Sequence, residues 1–328
     1  VERKEEQAFF AEEFRRAPLE QLGRVSFVED LYPRYLENML KVTALEEIKR
    51  VGFKAVIGVD GQATVGLLLT SLLSALGCEA LSLPEEGSFS YRTISEARVV
   101  CLPTLAAQVK RAGADLGVFL VGNGEAAIVV DEDGDPVEEE QFTALLSLLV
   151  LKYAGPGTIP LPVTAPLFVE EVVKAHQGTV VRTKASPRAL MEKVAEAQIS
   201  PAGDGRGSFQ AAFDGFYALA KILELMAREK KSLRQLVAVL PTYYTARKQV
   251  DCSWEDKGRI MRRLFEENKE KEIEVIDGLK VFHDQGWALV LPDAEEPAFQ
   301  IYTEAASPEA ATALTNFYTA RIVELQLT

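Results

Sequence analysis

Twice along this chain, apolar runs of strand length alternate with segments of helix length, and this alternation restricts the fold to a mostly parallel sheet with helices packed on it. The first pass predicts helices over 32–40 and 45–51, a strand over 54–59 and a turn at Asp60-Gly61. A helix over 64–76 follows, which Gly77 ends as a C-terminal cap, and then a strand from Cys78. The second pass begins near Val137 with a helix to about Lys152, whose acidic first turn (Glu138, Glu139, Glu140) suits the positive end of a helix dipole. Gly155-Pro156-Gly157 breaks it, and a strand over 158–164, a helix over 166–177, a strand over 179–183 and helices over 186–197 and 214–230 follow. The last segment changes character. A strand over 245–252 and a helix over 254–268 precede closely spaced strands at 272–276, 279–283 and 287–291, joined by Asp277-Gly278 and Asp284-Gln285-Gly286, the turn residues of antiparallel hairpins. A strand over 299–304 and a helix from Pro308 to about Leu325 end the chain. The expected architecture is α/β, with two consecutive βα-sheet domains followed by a small α+β domain on a four-strand antiparallel sheet.

At 328 residues there is room for two or three domains, and an apolar content of 48% suffices for their cores. The formal charge of −13 argues against nucleic acid as a partner, because a phosphate backbone needs a clustered basic face. Cys78, Cys101 and Cys252 form neither a disulfide framework nor a zinc pattern and point to a reducing cytoplasm. His176 and His283 lie near predicted turns and read as surface residues, so histidine-based catalysis has little material. The longest largely apolar stretch, 142–151, is too short for a bilayer, and the charged residues 1–16 are no secretory leader, so no membrane partner is expected. Residues 1–24 read as a junction helix and loop left from an upstream domain, with Phe9, Phe10 and Phe14 as an apolar stripe that should pack somewhere. The start at Val1, in mid-helix, suggests a piece of a longer protein.

The segment 113–134, G-A-D-L-G-V-F-L-V-G-N-G-E-A-A-I-V-V-D-E-D-G, carries most of the functional information. An apolar strand over 116–121 enters a Gly-rich turn, and a second over 127–130 leaves toward the acidic turn Asp131-Glu132-Asp133-Gly134. Gly122-x-Gly124-x-x-Ala127 matches a dinucleotide fingerprint, but that site needs a helix after the glycines and the β-branched residues that follow predict a strand. Asp131, Asp133 and Asp135 suggest a calcium loop, which Pro136 and Phe142 contradict at the positions that need Gly and Glu; a solvated acidic turn is expected.

At R-A-G-A-D-L-G, I-V-V-D-E-D-G, V-V-R-T-K and D-G-x-x-A-L-A-K-x-L-E-L the chain resembles the α-D-phosphohexomutases, the phosphoglucomutase and phosphomannomutase family. The resemblance implies that residues 25–136, 137–244 and 245–328 correspond to that family's second, third and fourth domains. It also implies a metal loop, G-A-D-L-G-x-x-x-D-G-D-A-D-R, whose three Asp hold Mg2+ and whose Arg handles the transferring phosphate. Those four positions fall here on Val121, Asn123, Glu125 and Ala126, which leave one carboxylate of three and no guanidinium. The implied phosphate loop, R-P-S-G-T-E-P, falls on 291–297, where Leu291, Asp293 and Glu295 replace three donors beside Ala294. Each introduced carboxylate would repel a phosphate by roughly 1 kcal/mol per charge pair at about 4 Å in water.

Arg182, Lys184 and Arg188 at V-R-T-K-A-S-P-R could form a basic pocket for sugar phosphate, although Ser186-Pro187 is also a good helix start. Asp204 and Arg206 fall in the implied sugar-selecting loop, and no string of the type T-A-S-H-N that carries the family's phosphorylated serine is present. The expected sites therefore include no catalytic residue and no metal or other cofactor. The chain also resembles the degenerate mutase-like C-terminal region of bacterial mannose-1-phosphate guanylyltransferase-type nucleotidyltransferases. The resulting expectation is a mutase-like module of carbohydrate metabolism, inactive alone, acting as scaffold or sensor of a sugar phosphate or nucleotide sugar, joined to an upstream domain and able to self-associate. The alternative is a fragment of a genuine Mg2+-dependent phosphohexomutase that needs a separate serine-bearing domain.

Overall fold

The most apolar strands become the middle of a five-stranded mixed sheet, because only strands covered on both faces can be apolar at every position. The computed structural model describes residues 7–11, 18–60, 63–83, 94–198 and 213–327. The sheet comprises β1 (Lys54–Val59), β2 (Glu79–Ser82), β3 (Leu116–Val121), β4 (Ala126–Val130) and β5 (Pro136–Val137) in the order β2-β1-β3-β4-β5. Parallel pairing holds from β2 through β1 to β3, and β4 and β5 add antiparallel to that edge. Every residue of β3 is buried. On one face the helix Ile94–Ala112 packs against β1, β3 and β4. It can approach closely because Gly117 has no Cβ: one would lie 2.6 Å from Val109 and 2.7 Å from Val130. This helix was not expected, and Pro103 in its middle is the reason.

A βαβ unit follows, with β6 (Thr158–Pro162) and β7 (Thr179–Thr183) parallel and the helix Leu167–Ala175 between them. The helix Gly215–Glu229 buries all of its first thirteen residues and packs against β3, β4 and the helices Leu45–Val51 and Glu139–Tyr153. Two charges inside it are matched. Lys221 Nζ meets Glu224 Oε2 at 2.9 Å and also donates to Val42 O, and Ala44 N donates to Glu224 Oε2 at 3.3 Å. A buried charge without such partners would cost several kcal/mol. The helix thereby fixes the turn before Leu45.

The last sheet is wholly antiparallel, in the order β8-β12-β11-β10-β9, from β8 (Tyr244–Asp251), β9 (Ile273–Glu274), β10 (Leu279–His283), β11 (Gly286–Pro292) and β12 (Ala298–Ala305). One more strand joins it than expected, because the strand over 245–252 pairs with β12. Period-two alternation sorts its residues. Leu279, Val281, Ala288, Val290, Phe299 and Ile301 form a core with the helices Trp254–Asn268 and Pro308–Gln326. Trp287 and Leu289 on the opposite face pack with Val163, Leu167 and Ala185 of the βαβ unit.

By contact the chain divides into two compact units, Val1–Asn38 and Met39–Thr328, and the elements from β1 onward all lie in the second. In the first, residues 7–10 are helical and Leu19–Gln21 form a 3-10 turn. Phe9 and Phe10 meet edge to face and stand 66% and 82% exposed; Phe14 lies outside the described residues. Among the described residues no helix is long and apolar enough to cross a membrane.

Candidate functional site

The loop between β3 and β4 has the shape expected of it and little of the chemistry. Gly122 and Gly124 adopt φ of +60° and +86°, conformations that glycine takes without strain, and Gly124 N donates to Val121 O at 3.2 Å. The turn is seated on the start of the helix Gly215–Glu229: Gly215 N donates to Gly124 O at 2.8 Å, and the Phe216 ring occupies the place a side chain at Gly124 would need. β4 leaves the turn directly, so no helix follows the glycines and the dinucleotide reading falls.

Magnesium needs several hard oxygens in tight octahedral geometry. Strand alternation sends Val121 into the core with Phe119, Ile128 and Val130 beneath the helix Ile94–Ala112, and it is 6% exposed. Asn123 and Glu125 are exposed, and Ala126 is half-buried in β4. Among the described residues no group of three His, Cys, Asp or Glu is placed to hold a metal ion. The residues present do not fit Mg2+.

The acidic turn after β4 is not merely solvated, as expected, but wired into the fold. Asp131 is buried and its Oδ1 accepts from Asp133 N at 3.0 Å and Asp135 N at 2.8 Å. Arg234 pairs with Asp133 and, at 3.2 Å, with Asp135, and its backbone N–H donates to Glu132. A carboxylate turn closed on its own amides and a guanidinium has little use for calcium.

The basic segment after β7 is dispersed rather than pooled. Arg182 turns into its own βαβ unit, donating to Ala165 O at 2.9 Å, Pro162 O at 3.2 Å and Glu170 Oε2 at 2.7 Å. Burial raises the Glu170 carboxyl, but Lys174 and Arg182 outweigh it and hold it below the usual range. Lys184 is exposed, and Arg188 pairs with Glu192 one helical turn along the exposed face of Pro187–Gln198. Ser186 Oγ accepts from Ala189 N at 3.3 Å, the capping role that competed with a pocket in the sequence. Asp204 and Arg206 lie outside the described residues.

The loop between β11 and β12 behaves differently from its charge. Leu291 packs toward the apolar junction with the βαβ unit, and Ala294 and Glu295 are exposed. Asp293 does not face outward to repel an anion, as the sequence suggested. Its Oδ1 accepts from Glu295 N at 2.9 Å and Glu296 N at 3.0 Å, and its Oδ2 accepts from Gln300 Nε2 at 3.0 Å. Burial raises this carboxyl, but the Glu295 N–H, the Gln300 amide, the Glu296 N–H and nearby Lys257 together hold it below the usual carboxylate range. Lys257, 7% exposed, donates to Asp293 O at 2.7 Å and to Glu296 O.

Sequence reasoning missed the polar cluster where the antiparallel sheet meets the βαβ unit. Glu304 Oε2 accepts from Trp287 Nε1 and from Leu167 N, each at 2.6 Å. Lys280 is fully buried, with Nζ 3.8 Å from the Trp287 ring centroid and 3.3 Å from Val163 O. Burial, helped by Arg182, pushes its ammonium down to about 8 against the pull of Glu274, Glu304 and Glu170. Asp277 Oδ2 accepts from Ala185 N at 3.0 Å across the same junction. The available signal was the alternation in β10–β12 that places Lys280 and Glu304 on the face of Trp287 and Leu289. The histidines also differ from expectation: both are half-buried, with His283 Nε2 3.0 Å from Tyr318 Oη and His176 Nδ1 2.9 Å from Val172 O.

Comparison with known proteins agrees with this frame. Residues 139–244 match the family model described as phosphoglucomutase/phosphomannomutase, alpha/beta/alpha domain III. A phosphoglucomutase/phosphomannomutase of Thermococcus kodakarensis is 29% identical over 316 residues, which cover 93% of this chain and 68% of the relative. A probable phosphoglucosamine mutase of Methanococcoides burtonii is 30% identical over 311 residues, 92% of this chain and 68% of the relative. A crystal structure of a phosphoglucomutase/phosphomannomutase family protein from Burkholderia thailandensis shares the fold with a TM-score of 0.75 at 21% identity, over 90% of this chain and 64% of that one. The chain thus spans about two thirds of the length of these proteins. On its sequence and its fold, the chain belongs to the phosphoglucomutase/phosphomannomutase family.

Proposed function

We propose that this chain serves carbohydrate metabolism as a phosphohexomutase-type module, divided at residues 25–136, 137–244 and 245–328. The observation that carries this reading is the match to a probable phosphoglucosamine mutase at 30% identity over 68% of that protein's length. Such relatives favour a part of a working mutase, completed by a domain that brings the phosphorylated serine, over a module that only scaffolds. No step of transfer is assigned to Mg2+ at Val121–Ala126, because those side chains do not fit the ion.

A second reading has an observation of its own. A module that binds a sugar phosphate or nucleotide sugar without transferring phosphoryl groups is favoured by the β3–β4 loop, with Val121 in the core and no Arg at Ala126. Phosphoryl transfer depends on positioning and on cations that neutralise phosphate oxygens, and the side chains over 121–126 include no cation. Among the described residues of this segment, exposed Lys184 is a cation within reach of such a ligand, whereas Arg188 is paired with Glu192. An upstream domain as partner, self-association and a cytoplasmic setting belong to the same proposal.

The test is isomerisation of glucose 1-phosphate and glucosamine 1-phosphate with Mg2+ and glucose 1,6-bisphosphate, run beside calorimetry with the same sugars. Turnover, in the chain alone or with a serine-bearing domain supplied, supports the first reading. Saturable binding without turnover supports the second, and neither binding nor turnover overturns both.

A further inference from the structure

We propose that the free edge of β8 is the surface through which two copies of this chain pair, antiparallel about a two-fold axis at Gln249, with their C-terminal helices packed across the same axis. The inference gives the self-association of the functional reading a surface and rests on neither version of its chemistry. An edge strand presents unpaired N–H and C=O groups that take up a further strand unless something covers or blunts them. Among the described residues β8 pairs only with β12, in an unbroken register from Tyr244 to Asp251 that contains no proline. Antiparallel pairing turns the backbone groups of successive residues to opposite sides. Cys252 N donates to Pro297 O at 2.7 Å, so Val250 and Lys248 also turn their backbone groups toward β12, and Gln249, Arg247 and Thr245 turn theirs outward. All of these outward residues are exposed.

Charge and the neighbouring helix select a second copy as the occupant. Arg247 and Lys248 guard this edge against indiscriminate pairing, but Asp251 lies on the same strand. With Gln249 on the axis, Arg247 of each copy falls opposite Asp251 of the other, and Lys248 falls opposite Val250. An axis at Lys248 or Arg247 would instead set like charges face to face, so charge fixes one register. Arg247 lies over the Tyr302 ring, 4.9 Å from its centroid, and among the described residues neither Arg247 nor Asp251 enters an ion pair.

The helix Pro308–Gln326 runs along β8. Thr303, which faces Ala246 in the sheet, hydrogen-bonds Ala311 O at 3.0 Å, and Gln326 Nε2 donates to Asp251 O at 2.7 Å. On the opposite flank Arg321 pairs with Glu267 of the helix Trp254–Asn268. The flank of Gln326 carries Thr312, Asn316, Thr319 and Val323 at helical spacing, all uncharged and exposed or half-buried. Neighbouring strands lie about 4.8 Å apart and packed helices about 8 to 10 Å. Two helices, each seated over β8 and β12, therefore come together when two β8 edges pair. Copies that each carry a formal charge of −13 can meet only where charge is absent or matched, and this flank and the Arg247–Asp251 pairs supply both conditions.

The experiment measures the mass of the full chain by sedimentation equilibrium, without sugar or metal, for the parent, Arg247→Asp, Asp251→Arg, the double variant and Val323→Lys. The parent is expected to form a dimer and nothing larger, because pairing of one surface with itself closes. Each single charge reversal sets like charges opposite each other and is expected to raise the dissociation constant at least about tenfold, as is Val323→Lys. Arg247→Asp/Asp251→Arg is expected to restore the dimer. An equimolar mixture of the two single variants is expected to form a heterodimer, which a folding defect in either would prevent. Amide exchange at Arg247 and Gln249 in the parent is expected to slow with rising protein concentration, while that at Lys248, already bonded to β12, stays the same. A monomeric parent, an open series of larger assemblies, or a dimer that the single reversals leave intact overturns the proposal. Should a reversed variant fail to fold, Val323→Lys and the exchange of the parent decide in the same sense. Sugar binding or turnover by a strictly monomeric chain overturns this inference alone, and a dimer with neither overturns the functional reading alone.

Discussion

The β3–β4 loop and the β11–β12 loop stand where the family resemblance implies ligands, and each departs from the implied side chains in a different way. In the first the loss is by subtraction: Val121 joins the hydrophobic core, Ala126 carries no charge, and only Asn123 and Glu125 offer oxygen. In the second the loss is by replacement: Leu291, Asp293 and Glu295 stand for the three donors, and Asp293 spends both carboxylate oxygens on Glu295, Glu296 and Gln300. Subtraction and replacement look alike in a list of substitutions. They differ in what the side chains do instead, because Val121 fills the core whereas Asp293 closes its own turn.

The largest effect that would sharpen this contrast is expected from Val121→Asp. A lone carboxylate placed in the core of the mixed sheet, with no cation to meet it, is expected to lower stability by about 3 to 5 kcal/mol in urea unfolding. Glu125→Ala on the exposed side of the same loop is expected to change stability by no more than about 0.5 kcal/mol. Equal effects at the two positions would break the assignment of Val121 to the core.

Next comes Lys257→Met, which leaves the Asp293 and Glu296 carbonyls without their charged donor beneath the second loop. A loss of about 2 to 3 kcal/mol is expected, with faster amide exchange at Glu295 and Glu296. A neutral outcome would mean that the two carbonyls find other donors and that Lys257 does not hold the loop.

A smaller effect follows from acid. The Asp293 carboxyl is held below its ordinary value of 3.8 in the folded chain, so the unfolded chain takes up the proton first as pH falls. Its contribution is therefore complete above about pH 4, and it is lost as pH drops through the folded-state value. Asp293→Asn is expected to flatten that part of the stability profile. A profile identical to that of the parent chain would contradict the hydrogen-bonded role of Asp293 in its turn.

The fold was more legible than the site because it is written in local periodicity. β1, β3, β7, β10 and the helix Trp254–Asn268 fall where the apolar pattern and turn residues place them. The helix Ile94–Ala112 was hidden by Pro103, and the short helix Leu233–Val237 offers too few turns for a period to register. The substitutions at Val121, Asn123, Glu125 and Ala126 were readable in the sequence because each replaces one residue of the implied loop. Asp293 was readable as a charge but not as the group that closes its turn, because whether a carboxylate faces solvent or its own backbone amides is settled by a turn of a few residues. Arg182 was similarly misleading: its guanidinium is consumed by Ala165, Pro162 and Glu170, contacts set by the βαβ crossover. The Lys280–Trp287–Glu304 cluster joins residues to Val163 and Leu167 across more than a hundred positions, and no local pattern announces such a meeting.

The claim on which the rest turns is that side chains at the β3–β4 loop of this phosphohexomutase-family chain do not hold a divalent cation. Isothermal titration of the full chain with Mg2+ tests it most directly. The account predicts no saturable heat. Stoichiometric binding that disappears in Glu125→Gln would contradict it and return the loop to the service of metal-dependent phosphoryl transfer.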